Sequence, residues 1–69
     1  MTKGKISEFD QGVLYAAGIL ACYVGEPTYA ADLLKEAGLT DADVSEMDEF
    51  DKGNLRSLRG EKGIALKGL

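Results

Sequence analysis

Few side chains in this sequence could carry out covalent chemistry. The chain has one cysteine, Cys22, and no histidine, which excludes an internal disulfide, a histidine-based catalytic triad and an ordinary zinc site. Cys22 lies in an apolar stretch and has no histidine to activate it as a nucleophile. Paired carboxylates could perform acid–base catalysis, but a chain of 69 residues leaves little room for an enclosed pocket. We therefore expect neither an enzyme nor a bound metal or cofactor.

Charged side chains could instead mediate binding, and they are distributed unevenly. The net charge of −4 argues against general nucleic-acid binding. Residues 40–51 contain six acidic side chains and no basic one, and this run either complements a helix dipole or binds a basic partner. The residues assigned to an acidic partner surface are Asp41, Glu46, Asp48 and Glu49. Helical spacing places four basic residues of the following segment on one side, as solvated side chains or possible phosphate contacts: Lys52, Arg56, Arg59 and Lys62.

The longest uncharged stretch, GVLYAAGILACYVG, covers residues 12–25. Its apolar and small residues from Val13 to Val24 span about 18 Å as a helix, whereas a bilayer core needs about 30 Å. The stretch is therefore too short to span a membrane. Residues 19–22, ILAC, resemble the lipobox of a bacterial lipoprotein, in which Cys22 would be acylated and the chain cleaved before it. Glu8 and Asp10 oppose this alternative, because a signal sequence tolerates acidic residues poorly at that point.

We expect the stretch to be a buried helix that begins after Ser7, a good N-cap followed by acidic residues. Helical spacing directs one set of residues toward the core: Val13, Ala17, Leu20 and Val24. The opposite side is small, flat and suited to a partner interface, and it comprises Gln11, Tyr15, Gly18 and Cys22. A helix that is apolar nearly all round is normally enclosed on every side, and two further short helices hardly enclose it. We therefore expect a second copy or another protein to cover it.

The rest of the chain contains two more helical regions. Gly25 ends the first helix, Pro27 begins the second, and Gly38 ends the second with Leu39 folding back on it. No segment alternates with the period of a β-strand. The chain is therefore predicted to be a single all-α domain, 1–69, of three to four short helices, with a flexible N-terminus at 1–6.

The third helical region is predicted to begin at Thr40 and to extend to Arg59. It is one helix or two, because Gly53 favours a break inside it. As one helix it would bury a single side, formed by Val44, Met47, Leu55 and Leu58. Residues 61–69 then form a C-terminal tail that either docks on the body or stays loose.

The apolar residues around Gly38 resemble a helix-turn-helix in their spacing; they are Leu33, Ala37, Leu39, Val44 and Met47. The resemblance implies a corner between two helices, the second of which would present six residues to the DNA major groove: Thr40, Asp41, Ala42, Ser45, Glu46 and Glu49. Three of these six are acidic, whereas base and phosphate contacts require basic or amide side chains. DNA binding through the basic tail remains the alternative.

The segment GVLYAAGILACYVGEPTYAADLLKEAGL resembles, in general style, small accessory proteins encoded by phages and prophages. The resemblance implies an interaction role in a bacterial cytoplasm, and a lone thiol suits a reducing compartment. We therefore predict a cytoplasmic, non-enzymatic protein-interaction module that works as a homodimer or with another protein. The alternatives are a DNA-binding regulator and a processed lipoprotein.

Overall fold

A computed structural model describes residues 6–69 of the chain, and it is all-helical. Helix α1 spans Glu8–Cys22, α2 spans Pro27–Ala37 and α3 spans Glu49–Leu55; one turn of 3-10 helix, Arg56–Leu58, extends α3. Residues 6–69 contain no regular β-strand, only one isolated parallel bridge. The predicted all-α class and the small helical bundle are therefore confirmed.

Helix α1 begins where the sequence predicts. Ser7 has extended backbone angles, and its hydroxyl oxygen accepts a hydrogen bond of 3.0 Å from the backbone N–H of Asp10. Glu8 and Asp10 lie in the first turn, where negative charge favours the helix dipole. The helix ends at Cys22, three residues before Gly25, whose φ of +81° turns the chain toward α2.

The side of α1 that faces the core differs from the predicted one. The buried residues of α1 are Leu14, Ala17, Gly18 and Ala21. Only Ala17 belongs to the predicted set; Val13 and Leu20 are half-buried, and Val24 is 59% exposed. Both α2 and α3 pack against α1 on the Leu14 side, so the buried arc lies between them. The prediction was wrong because a helix with apolar residues on every side has no direction that periodicity alone can identify.

Gly38 ends α2 in the predicted way. Its φ of +73° is left-handed, the backbone N–H of Leu39 donates to the Leu34 carbonyl at 2.9 Å, and the N–H of Gly38 donates to the Lys35 carbonyl at 3.3 Å. These two bonds form a Schellman motif. They satisfy carbonyls that the helix end would otherwise leave unpaired, and they bring Leu39 into the core.

Two glycine-to-alanine substitutions should change stability in opposite directions. At Gly38 a Cβ would meet nothing within 4 Å, so the cost of alanine is the left-handed backbone alone, about 1 kcal/mol. This should lower the melting temperature by roughly 4–8 °C. Gly53 lies inside α3 with equally open surroundings, and alanine there should stabilise the fold by up to about 1 kcal/mol. Thermal unfolding of both variants tests the pair, and equal shifts would contradict it.

The predicted helix starting at Thr40 does not form. Residues 39–48 are a loop, and the second helix of the corner, α3, begins only at Glu49. Asp48 is its N-cap, with a carboxylate oxygen that accepts from the N–H of Asp51 at 2.9 Å. Val44 and Met47 are nevertheless buried, because the loop folds over the core. Hence neither one helix nor two spans 41–59.

Backbone hydrogen bonds from the C-terminal tail, residues 61–69, explain why the loop at 39–48 is not helical. The N–H of Ala65 donates to the Thr40 carbonyl at 2.8 Å, and the N–H of Lys67 donates to the Ala42 carbonyl at 2.9 Å. In return, the N–H of Val44 donates to the Lys67 carbonyl at 2.8 Å. These long-range bonds use backbone groups that a helix over 41–48 would need for itself. The tail 61–69 therefore docks on the body; of the segment predicted to be flexible, residues 1–5 lie outside the described part of the chain.

Candidate interaction surface

All five aromatic residues of the chain lie at the surface. Their exposed fractions are 78% for Phe9, 49% for Tyr15, 67% for Tyr23, 63% for Tyr29 and 51% for Phe50. The largest fully buried side chains are four leucines and a valine. An open fold is not the cause, because the accessible area of 4281 Å² is close to the value of about 4,200 Å² expected for a compact monomer of this mass.

The side of α1 that points away from the core is apolar. Residues at three- and four-residue spacing share an arc of about 80° opposite the buried side, and we call this set the outer face of α1: Phe9, Gly12, Ala16, Ile19 and, at the C-cap of the helix, Tyr23. The centre of the Tyr23 ring lies 6.1 Å from that of Phe50 in α3. Ile19 is half-buried and the other four are exposed. None of the five is charged, so a partner could cover the outer face without desolvating any charge.

An open apolar groove of about 440 Å³ lies beside the outer face. It is lined by Tyr15, Ala16, Ile19 and Leu20 of α1, by Val24 just after the helix and by Leu33 of α2. Leu33 is 36% exposed, although its spacing suggests a buried residue. Together the groove and the outer face form one continuous surface without charged side chains.

The structure separates the four residues of the predicted partner interface. Gln11, Tyr15 and Cys22 are exposed, and Tyr15 lines the groove. Gly18, by contrast, is buried, and a Cβ on it would lie 3.0 Å from the Asn54 Cβ. Gly18 therefore permits α3 of the same chain to approach α1, and its assignment to a partner interface was wrong.

Asn54 is a feature of this contact that the sequence did not reveal. Asn54 is 6% exposed, and its side-chain amide nitrogen has no hydrogen-bond partner among the described residues. A buried, unpaired amide is destabilising. The α1–α3 contact is tightly packed, because a Cβ on Gly18 would lie 3.0 Å from the Asn54 Cβ, and it has little tolerance for added atoms.

The predicted acidic surface is partly engaged in holding α3 together. Asp41 and Glu46 are exposed in the loop, whereas Asp48 caps α3. Glu49 forms ion pairs with Lys52 at 3.2 Å and Arg56 at 3.5 Å, and the hydrogen bond from Lys52 is the main cause of the lowered pKa of its carboxyl. Asp48 and Glu49 therefore already have roles within the domain.

The four basic residues do not share one side of a helix, because α3 ends at Leu55. Lys52 and Arg56 pair with Glu49. The guanidinium of Arg56 also donates two hydrogen bonds to the Leu69 carbonyl, from Nε at 3.2 Å and Nη2 at 2.6 Å, and so anchors the tail. Arg59 and Lys62 are exposed beyond the helix. The predicted basic helix face was therefore wrong.

The loop contains an exposed carboxylate whose charge should matter at acid pH. Asp43 accepts a 3.0 Å hydrogen bond from the backbone N–H of Ser45. That bond, with help from the Ser45 side chain and from the charge of Lys67, lowers the pKa of Asp43 from its ordinary value of 3.8. A carboxyl with a lowered pKa stabilises the fold above its ordinary pKa, and this contribution is lost as the pH falls below it.

We therefore expect Asp43→Asn to lower the melting temperature at pH 7 and to have a much smaller effect at pH 3. Below the ordinary pKa of 3.8, Asp43 is largely protonated in the unfolded chain, so the charge that the variant lacks contributes less to stability. Thermal unfolding between pH 3 and 7 measures the difference, and Asp41→Asn, in the exposed part of the same loop, is the control. A deficit of equal size at both pH values would contradict the assigned role.

Other kinds of site find little support in residues 6–69. The described residues contain no group of three or more His, Cys, Asp or Glu side chains that could hold a metal ion. No described helix is long and apolar enough to cross a membrane. No protein-family model matches the chain, and no curated protein or solved structure matches it either. Fold and surface together define a small all-α domain with an uncovered apolar helix face.

Proposed function

We propose that this protein is a non-enzymatic protein-interaction module that docks another polypeptide on the outer face of α1 and the adjoining groove. The observation that carries the proposal is the exposure of every aromatic side chain on a fold of ordinary compactness. Aromatic residues are enriched in the centres of protein interfaces. The resemblance to small phage and prophage accessory proteins favours such a role in a bacterial cytoplasm.

The energetics of covering this surface support the proposal. With roughly 200 Å² for an aromatic side chain, the exposed parts of Phe9, Tyr15 and Tyr23 amount to about 400 Å². Burying that area would contribute about 10 kcal/mol at 25 cal/mol per Å². Association costs about 4–15 kcal/mol in lost freedom, so the aromatic side chains alone roughly offset it. Burial of the aliphatic residues of the groove contributes the additional binding free energy that a stable complex requires.

The other candidate functions have less support. Docking of a basic partner at 41–51 would compete with the intramolecular bonds of Asp48 and Glu49. DNA binding through the basic tail would compete with the ion pairs of Lys52 and Arg56. Cleavage before Cys22, which follows acylation when a lipoprotein is processed, would remove the helix that supplies Leu14 to the core.

Site-specific photo-crosslinking in bacterial cells tests the proposal. A photoreactive phenylalanine analogue replaces Ile19 on the outer face, and the same analogue replaces the exposed Ser57 in a matched control. We expect a discrete cross-linked product from position 19 and none from position 57. Its mass identifies either a second copy or a different protein. Equal, diffuse labelling from both positions would overturn the proposal.

A further inference from the structure

We infer that the polypeptide covering the outer face of α1 is a second copy of this chain, packed antiparallel through α1. This inference rests on the proposed function and specifies its partner. Because a twofold dimer uses the same patch on both subunits, one self-complementary patch is sufficient to form it. The available area and the order of side chains along α1 support this occupant, and the charge distribution permits it.

The exposed apolar area is close to what a dimer needs. A stable interface buries about 800 Å² on each partner, which is about a fifth of the 4281 Å² surface of this chain. Phe9, Tyr15 and Tyr23 provide about half of that area at roughly 200 Å² per aromatic side chain. The groove residues adjoin them and extend the patch, with Val24 at 59% and Leu33 at 36% exposure.

The charges permit a second copy to bind and give that binding a characteristic salt dependence. The outer face and the groove contain no charged side chain that would select an oppositely charged partner. Acidic groups lie at both ends of the helix, at Glu8, Asp10 and Glu26. Two acidic copies therefore meet through uncharged surfaces, while the acidic residues that flank these surfaces repel one another weakly. Added salt screens that repulsion and should strengthen the dimer, whereas it would weaken a complex with a basic partner.

The order of side chains on the outer face favours the antiparallel orientation. Phe9, Gly12, Ala16, Ile19 and Tyr23 follow the three- and four-residue spacing of a helix-packing seam. Small residues lie near its middle and aromatic residues at its two ends. With the twofold axis near Ala16, each Phe9 lies close to Tyr23 of the other subunit, and Gly12 lies close to the larger Ile19. A parallel pair would instead place Gly12 against Gly12 and leave a gap.

Sedimentation of the full chain tests the occupant. We expect a dimer at micromolar concentration that strengthens with added salt. Ile19→Asp should raise the dissociation constant at least about 100-fold, because it buries a carboxylate without a partner. The control Ser57→Asp adds the same charge at an exposed site away from the outer face and should leave the dissociation constant unchanged.

Disulfide trapping tests the orientation in a Cys22→Ser background. An equimolar mixture of Phe9→Cys and Tyr23→Cys chains should form a mixed disulfide, and Ala16→Cys should form a disulfide with itself. Efficient self-linking of Phe9→Cys alone, without the mixed product, would show parallel packing and overturn the proposed arrangement.

Two further outcomes separate this inference from the proposed function. In the first outcome, the protein is a monomer at all concentrations, binds the apolar dye Nile red, and loses that binding in Ile19→Asp. This result overturns the inference that the partner is a second copy, and it leaves the outer face as a docking surface for another protein. A dimer that Ile19→Asp leaves intact overturns both, because association would then use a different surface.

Discussion

Replacing Gly18 with leucine is expected to destabilise the domain strongly. In the structure, even the first added carbon would lie 3.0 Å from the Asn54 Cβ and 3.5 Å from the Leu55 Cγ. A leucine side chain adds three more carbons in the same direction, toward residues that are themselves buried. Helix α3 would have to move away from α1, and contacts of the core would be lost with it.

The magnitude follows from the size of the domain. A chain of this length has a free energy of unfolding of roughly 3–10 kcal/mol, at about 0.05–0.15 kcal/mol per residue. Overpacking typically costs about 1–3 kcal/mol, and more where neighbours do not yield. The gain in helix propensity from glycine to leucine, about 0.8 kcal/mol, does not offset that cost. Urea unfolding followed by circular dichroism should show a clearly lower midpoint than in the wild type.

Gly12→Leu is the matched control, on the same helix and six residues earlier. A Cβ at Gly12 would meet nothing within 4 Å, so the single subunit should stay folded and gain up to about 0.8 kcal/mol from helix propensity. Normal stability of Gly18→Leu, or unfolding of Gly12→Leu, would contradict the assignment of the two sides of α1.

Helix ends could be predicted from the sequence because they depend on local chemistry. The Ser7 hydroxyl and the left-handed conformation of Gly38 act on backbone groups within five residues, and both predictions are confirmed. The start of α2 at Pro27 is confirmed for the same reason. The all-α class also followed, since three helical segments account for most of the apolar residues.

The loop at 39–48 could not be predicted because its cause is distant in the sequence. Its acidic residues and apolar spacing are typical of a helix, and Val44 and Met47 were correctly expected to be buried. The bonds to Ala65 and Lys67 that hold it in another conformation come from more than twenty residues away. Tertiary contacts of this kind override local propensity.

The candidate surface was predicted only in part. An incompletely covered apolar helix followed from composition, and Tyr15 was correctly expected at the surface. The outer face itself was missed, because the direction in which α2 and α3 pack against α1 is not encoded in the spacing of apolar residues. The exposure of Phe9 and Tyr23 became evident only when that direction was known.

Leu14→Ala should be among the most destabilising changes to the core that add no atoms. Leu14 is fully buried, and it is one of the five largest side chains that are fully buried within residues 6–69. Removing its branch loses transfer free energy and leaves a cavity, at a cost of about 3–5 kcal/mol. That loss is a large share of roughly 3–10 kcal/mol of total stability. Urea unfolding should show a much lower midpoint with an unchanged m-value.

Leu20→Ala is the matched control for Leu14→Ala, because both residues are leucines on α1. Leu20 is only half-buried and lines the groove, so the single subunit should lose about 1 kcal/mol or less. If the chain is a dimer, the stability deficit of the Leu20 variant relative to the wild type should grow as the protein concentration is raised, since binding stabilises the folded state by mass action and the wild type binds more tightly. A Leu20 effect equal to the Leu14 effect at low concentration would mean that the two sides of α1 are assigned the wrong way round, and the docking surface would have to be sought elsewhere.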